Sequence, residues 1–523
     1  MQQYLRSFLP CFLVLCLLGA GLHTHAQQFY NVLSYGAKND SSRKATTAIA
    51  KAIAAATRAG GGTVYFPAGK YLTGPIHLKS NITIYIDAGA ELHFSDDFDD
   101  YLPMVQSRYE GVDVMSFSPL FYAWKAENIA IKGRGIINGH GKKWWDTVEG
   151  FDDTKPRNKY QRLFDSVNKN ILLPDDPKQM KRGFLRPPFI QPMYCKNVQV
   201  EGIYITNSPF WTINPEFCEN VTVQGVTIYN PHSPNTDGIN PESCRYVHIS
   251  NCHISVGDDC ITIKSGKDIP GRTKAAPAQN YTITNCTMLS GHGGVVIGSE
   301  MSGGVKNITI SNCVFDGTDR GIRIKTARGR GGVVEDIRVD NIIMKNIGEQ
   351  ALLLDMEYTK AAPEPLSERT PKFRNIRFSN ITAYAKTAMY VNGLDEMPIK
   401  EVSLTDVVFE VENGIVLKKA KDIAFHNLRI NTKTGSALMA DHVQQLELDG
   451  ISTNIPLVNV PVIRLTDVQD VLLRNCWPIA GTGTFVQVKG AACKNIIIRD
   501  NEWSNATRPV DIATEAKEAV KEK

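Results

Sequence analysis

A short strand pattern recurs along most of the chain, and this repetition limits the possible folds more than any other feature. From residue 120 onward, runs of alternating β-branched and polar residues return at intervals of roughly 20 to 40 residues. Such alternation is typical of strands, whereas helical periodicity is nearly absent after residue 60. One copy of such a unit cannot bury its apolar face alone, so consecutive copies have to stack. The pattern therefore predicts an all-β chain folded as a right-handed parallel β-helix, with coils about 4.8 Å apart.

Asparagine and cysteine recur at fixed places in this pattern. Asparagine follows most of the strands, where we expect its amide to satisfy the backbone of a turn. These asparagines are Asn251, Asn285, Asn312, Asn341, Asn380, Asn427 and Asn475. The nine cysteines beyond residue 26 have no Cys-x-x-Cys pair and no zinc spacing, so we interpret them as small core residues, although a disulfide stays open. Two inward ladders are expected, namely Cys195, Cys218 and Cys244, and Cys252, Cys286 and Cys313.

The N-terminal residues differ in composition from everything that follows. Arg6 precedes an apolar run over residues 8–18, and small residues stand at 24 and 26, where a signal peptidase reads them. The run is too short for a comfortable membrane span, and no later segment of the sequence resembles one. We therefore predict that residues 1–26 are a cleaved secretory signal. The mature protein is expected to be periplasmic or extracellular.

The remaining chain is predicted to form one catalytic domain. Residues 27–110 are expected to hold an N-terminal cap and the first coils, with a short capping helix over residues 45–58 that stops at three glycines. Residues 111–511 are expected to continue the same domain as the β-helix, and the charged residues 512–523 to form a frayed tail or short helix. Insertions at 140–186 and 265–279 interrupt the repeat, and we expect loops that wall a groove.

Four short motifs fall into register when the repeats are laid on one another. They are Asn-Thr-Asp-Gly at residues 235–238, Gly-Asp-Asp at 257–259, Gly-His-Gly at 291–293 and Arg-Ile-Lys at 323–325. One inward ladder then contains Ile239, Ile261, Val295 and Ile322. In this alignment Asp237 stacks on Asp259, and Asp258 shares the preceding column with His292. Arg323 and Lys325 point outward together, because they are two residues apart on a strand.

The alignment also defines a polar strip that ends at Arg323. It contains Gln191, Asn214, Asn240 and Thr262, with Val296 as its apolar member. Each motif alone has an ordinary structural explanation, as a turn, a capped backbone or strand-surface charge. Their joint register is harder to explain in that way, since stacked like charges are costly and are typical of functional sites.

A group of three carboxylates with neither a thiol nor a serine nucleophile suits general acid–base hydrolysis. An inverting glycosidase needs one protonated carboxyl on the leaving oxygen and another that activates water from the opposite side. Outward arginine and lysine would bind a negatively charged group of the substrate, such as a uronic acid carboxylate. A calcium site is the main competing use of clustered aspartates, as would be expected in a β-helix lyase with a cationic base. The small net charge of +4 argues against a nucleic-acid partner and is compatible with an anionic substrate.

At these motifs the sequence resembles glycoside hydrolase family 28, the polygalacturonases and related pectin hydrolases. All four motifs of the family are present in order, and the likeness covers nearly the whole chain beyond the predicted signal. The resemblance implies the pectin-lyase-like β-helix, inversion at the anomeric carbon, no cofactor or metal, and a pectic polysaccharide or oligogalacturonide as substrate.

The resemblance also implies a role for each motif residue. Asp258 is expected to be the general acid, Asp237 and Asp259 the pair that activates water, and His292 the residue that tunes the acid. Substrate binding is expected from Arg323 and Lys325, as a clamp for a galacturonate carboxylate. Four further residues are expected to contact substrate: Asn235, Asn214, Asn240 and Tyr358.

Two positions depart from the family pattern and leave the exact sugar open. Asn240 stands where many relatives have aspartate, and Asn214 where a histidine is common in bacterial relatives. The insertion at 140–186 is expected to close one end of the groove and favours exo-action. The leading hypothesis is an exported exo-polygalacturonase. The alternatives are a rhamnogalacturonan or modified-pectin hydrolase of the same family, a calcium-dependent pectate lyase, and a non-catalytic sugar-binding β-helix.

Overall fold

A computed structural model describes residues 29–230 and 233–522, and it has the predicted right-handed parallel β-helix. The predicted signal, residues 1–26, lies outside the described residues. In the part that is described, no helix is both long and apolar enough to cross a membrane. One continuous sheet of 29 strands winds through the described residues, and its neighbouring strands pair in parallel.

The strands are short at the N-terminal end and become long, bent runs in the middle of the chain. In chain order they are β1 (Phe29–Asn31), β2 (Gly62–Phe66), β3 (Gly69–Thr73), β4 (Ile76–His77), β5 (Ile82–Ile86), β6 (Ala90–Phe94), β7 (Val105–Tyr109), β8 (Val112–Ser116), β9 (Phe121–Trp124), β10 (Glu127–Gly133), β11 (Ile136–Asn138), β12 (Ile190–Met193), β13 (Lys196–Glu201), β14 (Tyr204–Thr206), β15 (Glu219–Gln224), β16 (Thr227–Asn230), β17 (Arg245–Ser250), β18 (His253–Val256), β19 (Asp259–Ile263), β20 (Ala278–Thr284), β21 (Thr287–Ser290), β22 (Gly293–Ile297), β23 (Val305–Asp316), β24 (Ile322–Lys325), β25 (Val333–Asp355), β26 (Lys372–Asn392), β27 (Ile399–Thr432), β28 (Leu438–Ser452), β29 (Ile463–Thr466), β30 (Gln469–Arg474), β31 (Thr482–Lys489), β32 (Lys494–Arg499), β33 (Ala506–Ile512) and β34 (Val520–Glu522).

The core is a set of apolar ladders along the axis of the β-helix. In one of them, every member pairs with the same position of the next coil, and all members are buried. This ladder begins Val64, Ile84, Ile131, Val200, Val223, Ile249. The two predicted cysteine ladders are also present. In the first, the backbone N–H of Cys195 bonds to Cys218 Sγ and that of Cys218 to Cys244 Sγ. In the second, the residues that directly follow the three cysteines pair between successive coils, His253 with Thr287 and Thr287 with Val314. The nine cysteines of the described residues are free thiols.

The described residues contain five α-helices and three 3₁₀-helices. They are α1 (Thr46–Arg58), α2 (Lys142–Glu149), α3 (Lys159–Val167), α4 (Lys178–Arg182), α5 (Asp268–Lys274) and the 3₁₀-helices Val32–Tyr35, Phe98–Tyr101 and Thr514–Ala519. Helix α1 is the predicted capping helix. It buries Ile49, Ile53 and the alanines of the same face against β1 and β2, and it ends before Gly60, which has φ of +90°. The apolar end of the first coil is therefore covered.

The non-repeating segments differ from the expected loops. The insertion at 140–186 contains α2, α3 and α4, and the insertion at 265–279 contains α5. Residues 105–116 form an antiparallel hairpin, β7–β8, whose turn lies where the cap was expected to pass into the β-helix of the same domain. The C-terminal residues, expected as a frayed tail or short helix, contain the 3₁₀-helix Thr514–Ala519, followed by β34, which pairs with β32 and extends the sheet.

The turn asparagines have a different role from the expected one. All seven lie in the left-handed region, with φ near +55°, which asparagine tolerates better than other residues with a Cβ. Their amides bond mainly to side chains of the neighbouring coil rather than to turn backbone. For example, Asn341 Nδ2 donates to Asn312 Oδ1 at 2.8 Å, and Asn427 Nδ2 donates to the Asp406 carboxylate. The column thus stabilises both the turn and the stacking.

Substitution of Asn341 separates these two contributions. Asn341→Ala loses the amide bond and places a Cβ without polar compensation at φ of +54°, so we expect it to cost about 2 kcal/mol. Asn341→Gly loses only the bond and is expected to cost about 1 kcal/mol. Thermal unfolding should therefore rank wild type above the glycine variant and the glycine variant above the alanine variant. Equal melting temperatures for the two variants would exclude backbone strain as a contribution.

Candidate active site

The four motifs lie on consecutive coils and line one cavity of about 500 Å³. The predicted register is confirmed, since Ile239 pairs with Ile261, Ile261 with Val295, and Val295 with Ile322. Strands β19, β22 and β24 and the turns that precede them therefore bring the motif residues to the same face. Eight of the ten expected site residues line the cavity: Asn235, Asp237, Asp258, Asp259, His292, Arg323, Lys325 and Tyr358.

Asp237 is a buried carboxyl at the floor of the cavity, only 2% exposed. Its Oδ2 accepts hydrogen bonds from Asn240 Nδ2 at 2.8 Å and Thr262 Oγ1 at 3.0 Å. Burial and the neighbouring Asp258 charge raise the pKa of Asp237 well above its usual value. This is the carboxyl of the cluster that holds a proton most strongly.

Asp258 lies beside Asp237, but its pKa is shifted in the opposite direction, below its usual value. Its Oδ1 accepts the Asp259 backbone N–H at 3.0 Å and lies 3.2 Å from His292 Nδ1, and its Oδ2 accepts Asn235 Nδ2 at 3.2 Å. Burial acts to raise the pKa of Asp258, but the hydrogen bond and charge of His292 outweigh it and lower the pKa. The same bond raises the pKa of His292. In the substrate-free site the pair therefore favours an ionised Asp258 next to a protonated His292.

Asp259 is held by the two cations of the Arg-Ile-Lys motif. Lys325 Nζ donates to Asp259 Oδ2 at 3.0 Å, and Arg323 Nη1 lies 3.6 Å from Oδ1. The ring of Tyr358 lies against both cations, 5.4 Å from the Arg323 guanidinium carbon and 5.2 Å from Lys325 Nζ. Tyr358 is 45% exposed, so this aromatic face borders the cavity opening. The three groups form a cationic pocket next to the carboxylates.

Asn214 and Asn240 do not contact the cavity, contrary to expectation. Both are fully buried, because hairpin β7–β8 covers the polar strip. Gln191 Nε2 donates to Asn214 Oδ1 at 2.9 Å and to the Arg108 carbonyl, and Asn214 Nδ2 donates to the Asn240 carbonyl at 2.8 Å. These two side chains support Asp237 and the hairpin. The repeat pattern could not indicate their burial, because the hairpin that covers them is not part of the repeat.

A second set of charges lines the cavity beside the hairpin tip, and sequence reasoning missed it. Lys264 Nζ donates to Glu300 Oε2 at 2.6 Å and lies 4.6 Å from the Trp211 ring centre. Lys267 Nζ lies 3.5 Å from Glu110 Oε2 at the tip of the hairpin. The coil alignment contained a signal for Lys264, which stands at the position of Lys325 two coils later. Nothing in the repeat indicates Glu110.

The hairpin and the helical insertion pack against each other beside the cavity. An apolar cluster separate from the main core joins them. Its members are Met104, Tyr109, Val112, Val114, Phe164, Met180, Leu185, Phe210 and Trp211. Tyr109 stacks on Phe210 at 4.4 Å with the rings 10° apart, and Phe210 stacks on Trp211 at 4.8 Å. Because Trp211 also lines the cavity, this wall borders the site directly.

Two groups of side chains in the described residues have ligand atoms close enough for a metal ion. They are His426, Glu447 and Asp449, and Asp441, His442 and Asp467. Neither group lines the cavity. In the first, Arg474 Nη2 donates to Glu447 at 2.9 Å and lies 3.0 Å from Asp449, so a cation already neutralises it.

Comparisons with known proteins find two matching family models and several similar proteins. A family model described as glycosyl hydrolases family 28 matches residues 175–432, and one described as rhamnogalacturonase A/epimerase, pectate lyase-like, matches residues 29–151. A probable polygalacturonase of Vitis vinifera is 29% identical over 67% of this chain and 67% of its own length. An endo-polygalacturonase of Pectobacterium carotovorum subsp. carotovorum is 29% identical over 66% and 81%. The crystal structure of a hyperthermoactive exopolygalacturonase from Thermotoga maritima superposes with a TM-score of 0.69 and 33% identity over 77% of this chain and 91% of that one.

The raised pKa of Asp237 predicts a substitution that stabilises the protein. Asp237→Asn keeps an acceptor for Asn240 and Thr262 but cannot ionise. At low pH the wild-type carboxyl is protonated and equivalent to the amide, so the variants should melt together. As the pH rises through the raised pKa of Asp237, only the wild type develops a buried charge, and the variant should gain about 1–2 °C. Scanning fluorimetry across pH tests this, and a variant that is less stable at high pH would contradict it.

Proposed function

Because the chain belongs to glycosyl hydrolases family 28, and is thus a glycoside hydrolase, we propose that it cleaves α-1,4-linked galacturonic acid in pectin with inversion at the anomeric carbon. The observation that carries this proposal is the cluster of Asp237, Asp258 and Asp259 beside the cations Arg323 and Lys325 in one cavity. Acid–base hydrolysis uses the carboxyls, and an anionic sugar uses the cations.

In this proposal Asp258 donates a proton to the leaving oxygen, and Asp237 and Asp259 activate the attacking water. The substrate-free site has the opposite proton preference, since the pKa of Asp237 is raised and that of Asp258 is lowered. Substrate binding has to reverse this preference, so that Asp258 holds the proton and Asp237 is ionised. A bound sugar removes water from Asp258, which is 18% exposed, whereas Asp237 is already buried and gains little from further exclusion of water. The substrate carboxylate near Lys325 also offsets a cation that lowers the pKa of Asp258.

The cationic pocket of Arg323, Lys325 and Tyr358 would bind the sugar carboxylate on the leaving-group side. Arg323 and Lys325 are already shared with Asp259, at 3.6 and 3.0 Å. A substrate carboxylate would compete for these cations, and Asp259 would lose part of its stabilisation as an ion. Clamping the sugar and activating the base are thus coupled through the same two side chains.

The closed cleft supports exo-action. In this proposal the hairpin β7–β8, packed against α3 and α4 of the insertion, blocks the end of the cleft that contains Trp211 and Glu110. A polymer would then not pass through this end, and only a chain terminus would enter it.

A rhamnogalacturonan or modified-pectin hydrolase is the second candidate. The family match of residues 29–151 to a rhamnogalacturonase-type model favours it. The two departures from the family pattern do not, because Asn214 and Asn240 are buried and do not line the cavity. Either polymer is too large to cross a membrane intact, which suits the export that the N-terminal residues predict.

Product analysis distinguishes these functions. Incubation with polygalacturonate should release monomer or short oligomers from the start, with little early loss of viscosity, and ¹H NMR of the first product should show the inverted anomer. Asp258→Asn is the matched inactive control and should lose at least about a thousandfold in kcat. A rapid fall in viscosity would indicate endo-action. Products that absorb in the ultraviolet would indicate a lyase, and activity only on rhamnogalacturonan would favour the second candidate.

Lys325→Ala should affect both binding and turnover. The resemblance alone implies mainly weaker binding, but Lys325 also donates to buried Asp259. We therefore expect KM to rise about tenfold and kcat to fall by a similar factor, since the variant loses a charged hydrogen bond in both steps. Lys494→Ala, on the exposed face of β32, is the control and should change neither constant. An effect of Lys325→Ala on KM alone would contradict the link to Asp259.

A further inference from the structure

Arg186 is a buried cation at the point where the helical insertion rejoins the β-helix. It is 3% exposed and follows α4 in the chain. Its Nη1 donates to the Pro234 carbonyl at 2.5 Å, and its Nη2 donates to Asn235 Oδ1 at 2.7 Å. The guanidinium carbon also lies 5.0 Å from the ring centre of Phe210, within the wall. Arg186 therefore joins the wall to the first catalytic motif.

Asn235 relays this contact to Asp258. Its side chain is a two-ended amide, which can present either oxygen or nitrogen to a neighbour. The Arg186 guanidinium can only donate, so it fixes Oδ1 towards itself. The amide nitrogen then has to face the other way, where it donates to Asp258 Oδ2 at 3.2 Å. Without Arg186, only Asp258 would orient the amide, and that preference is lost when the carboxyl carries a proton and can itself donate.

The relay restricts how Asp258 can carry a proton. Asp258 Oδ1 is occupied by the Asp259 backbone N–H and by His292 Nδ1. Asn235 Nδ2 occupies one lone-pair direction of Oδ2. The second lone-pair direction of Oδ2 is therefore the position at which this carboxyl can hold a proton. The orientation of one amide thus decides where the acid can hold its proton.

We propose that Arg186 is a positioning residue for the hydrolysis, which holds the amide nitrogen of Asn235 against Asp258 and so fixes the direction of proton donation. This inference rests on the proposed function of Asp258 as general acid. It gives the helical insertion a second role, because the segment that closes the cleft also orients the acid. Asn235 acts on the acid, and Arg186 acts only through Asn235.

The first test is a double-mutant cycle between Arg186 and Asn235. Arg186→Gln should lower kcat on polygalacturonate by about tenfold to a hundredfold with little change in KM, because the acid is misoriented but the sugar contacts remain. Asn235→Ala should have a similar effect, and the double variant should be no worse than either single variant. Multiplicative effects would show that the two residues act independently and would overturn the proposal.

Two further variants separate positioning from stability. Arg186→Lys keeps a cation that can only donate and should recover most of kcat relative to the glutamine variant. Arg182→Gln removes an arginine of α4 whose side chain contacts only the insertion, through Gln179 and Phe151, and should leave kcat unchanged. If Arg186→Gln does not fold, Asn235→Ala and Arg186→Lys still test the relay. Failure of the lysine variant to exceed Asn235→Ala would then contradict it.

A titration without substrate separates this inference from the proposed function. Loss of the Asn235 donor removes a bond that favours the ionised form of Asp258, so its pKa should rise in both Arg186→Gln and Asn235→Ala. Carboxyl NMR of ¹³C-aspartate-labelled protein, assigned with Asp258→Asn, measures this shift directly. If the pKa of Asp258 is the same in these variants as in the wild type, the inference is overturned even if the wild type hydrolyses pectin. If the pKa of Asp258 rises but the protein cleaves no pectic substrate, the role of Arg186 is supported and the proposed reaction is wrong.

Discussion

Parallel backbone pairing between consecutive coils is the constraint on which the rest of the structure depends. It converts position in the repeat into a column along the axis, so one register decides the core and the site together. The register that stacks Ile239, Ile261 and Val295 inside also stacks Asp237 against Asp259 outside. A slip by one residue would turn every one of these side chains to the opposite face. The catalytic cluster is therefore as firmly fixed as the hydrophobic core.

Columns of this kind concentrate charge, and the site shows how that concentration is tolerated. Three carboxyls share a small volume, yet each is balanced differently. Asp237 tends to remain neutral, Asp258 pairs with His292, and Asp259 pairs with Lys325. His292 and Lys325 come from two successive coils, so the balance depends on the same stacking that creates the repulsion. Acid and base functions need carboxyls in different states, and the proposed roles need the reverse of this distribution, which is why substrate binding has to redistribute the protons.

The core ladder and the stacked site residues follow the repeat and could be predicted from the sequence, whereas the hairpin β7–β8 does not follow it and could not. The ladder through Ile322, the stacking of Asp237 on Asp259 and the neighbouring columns of Asp258 and His292 were all readable, because equivalent positions recur in the sequence. The hairpin β7–β8 was not readable, since a single antiparallel pair has no copy against which to align it. Its absence from the sequence interpretation explains why Asn214 and Asn240 were expected at a substrate surface. The proton preference of Asp237 was equally inaccessible, because burial by distant segments decides it.

The hairpin is also bound electrostatically to the column that ends in the clamp. Glu216, Glu242 and Lys264 occupy successive positions of one column, two coils before Lys325. Arg108 of β7 inserts above the two glutamates, with Nε 2.7 Å from Glu242 and 3.5 Å from Glu216, and all three side chains are buried. Loss of the Arg108 charge with the hairpin still in place would leave two buried carboxyls without their cation, which is strongly destabilising. The hairpin is thus held on the β-helix by buried charge pairs as well as by the apolar cluster.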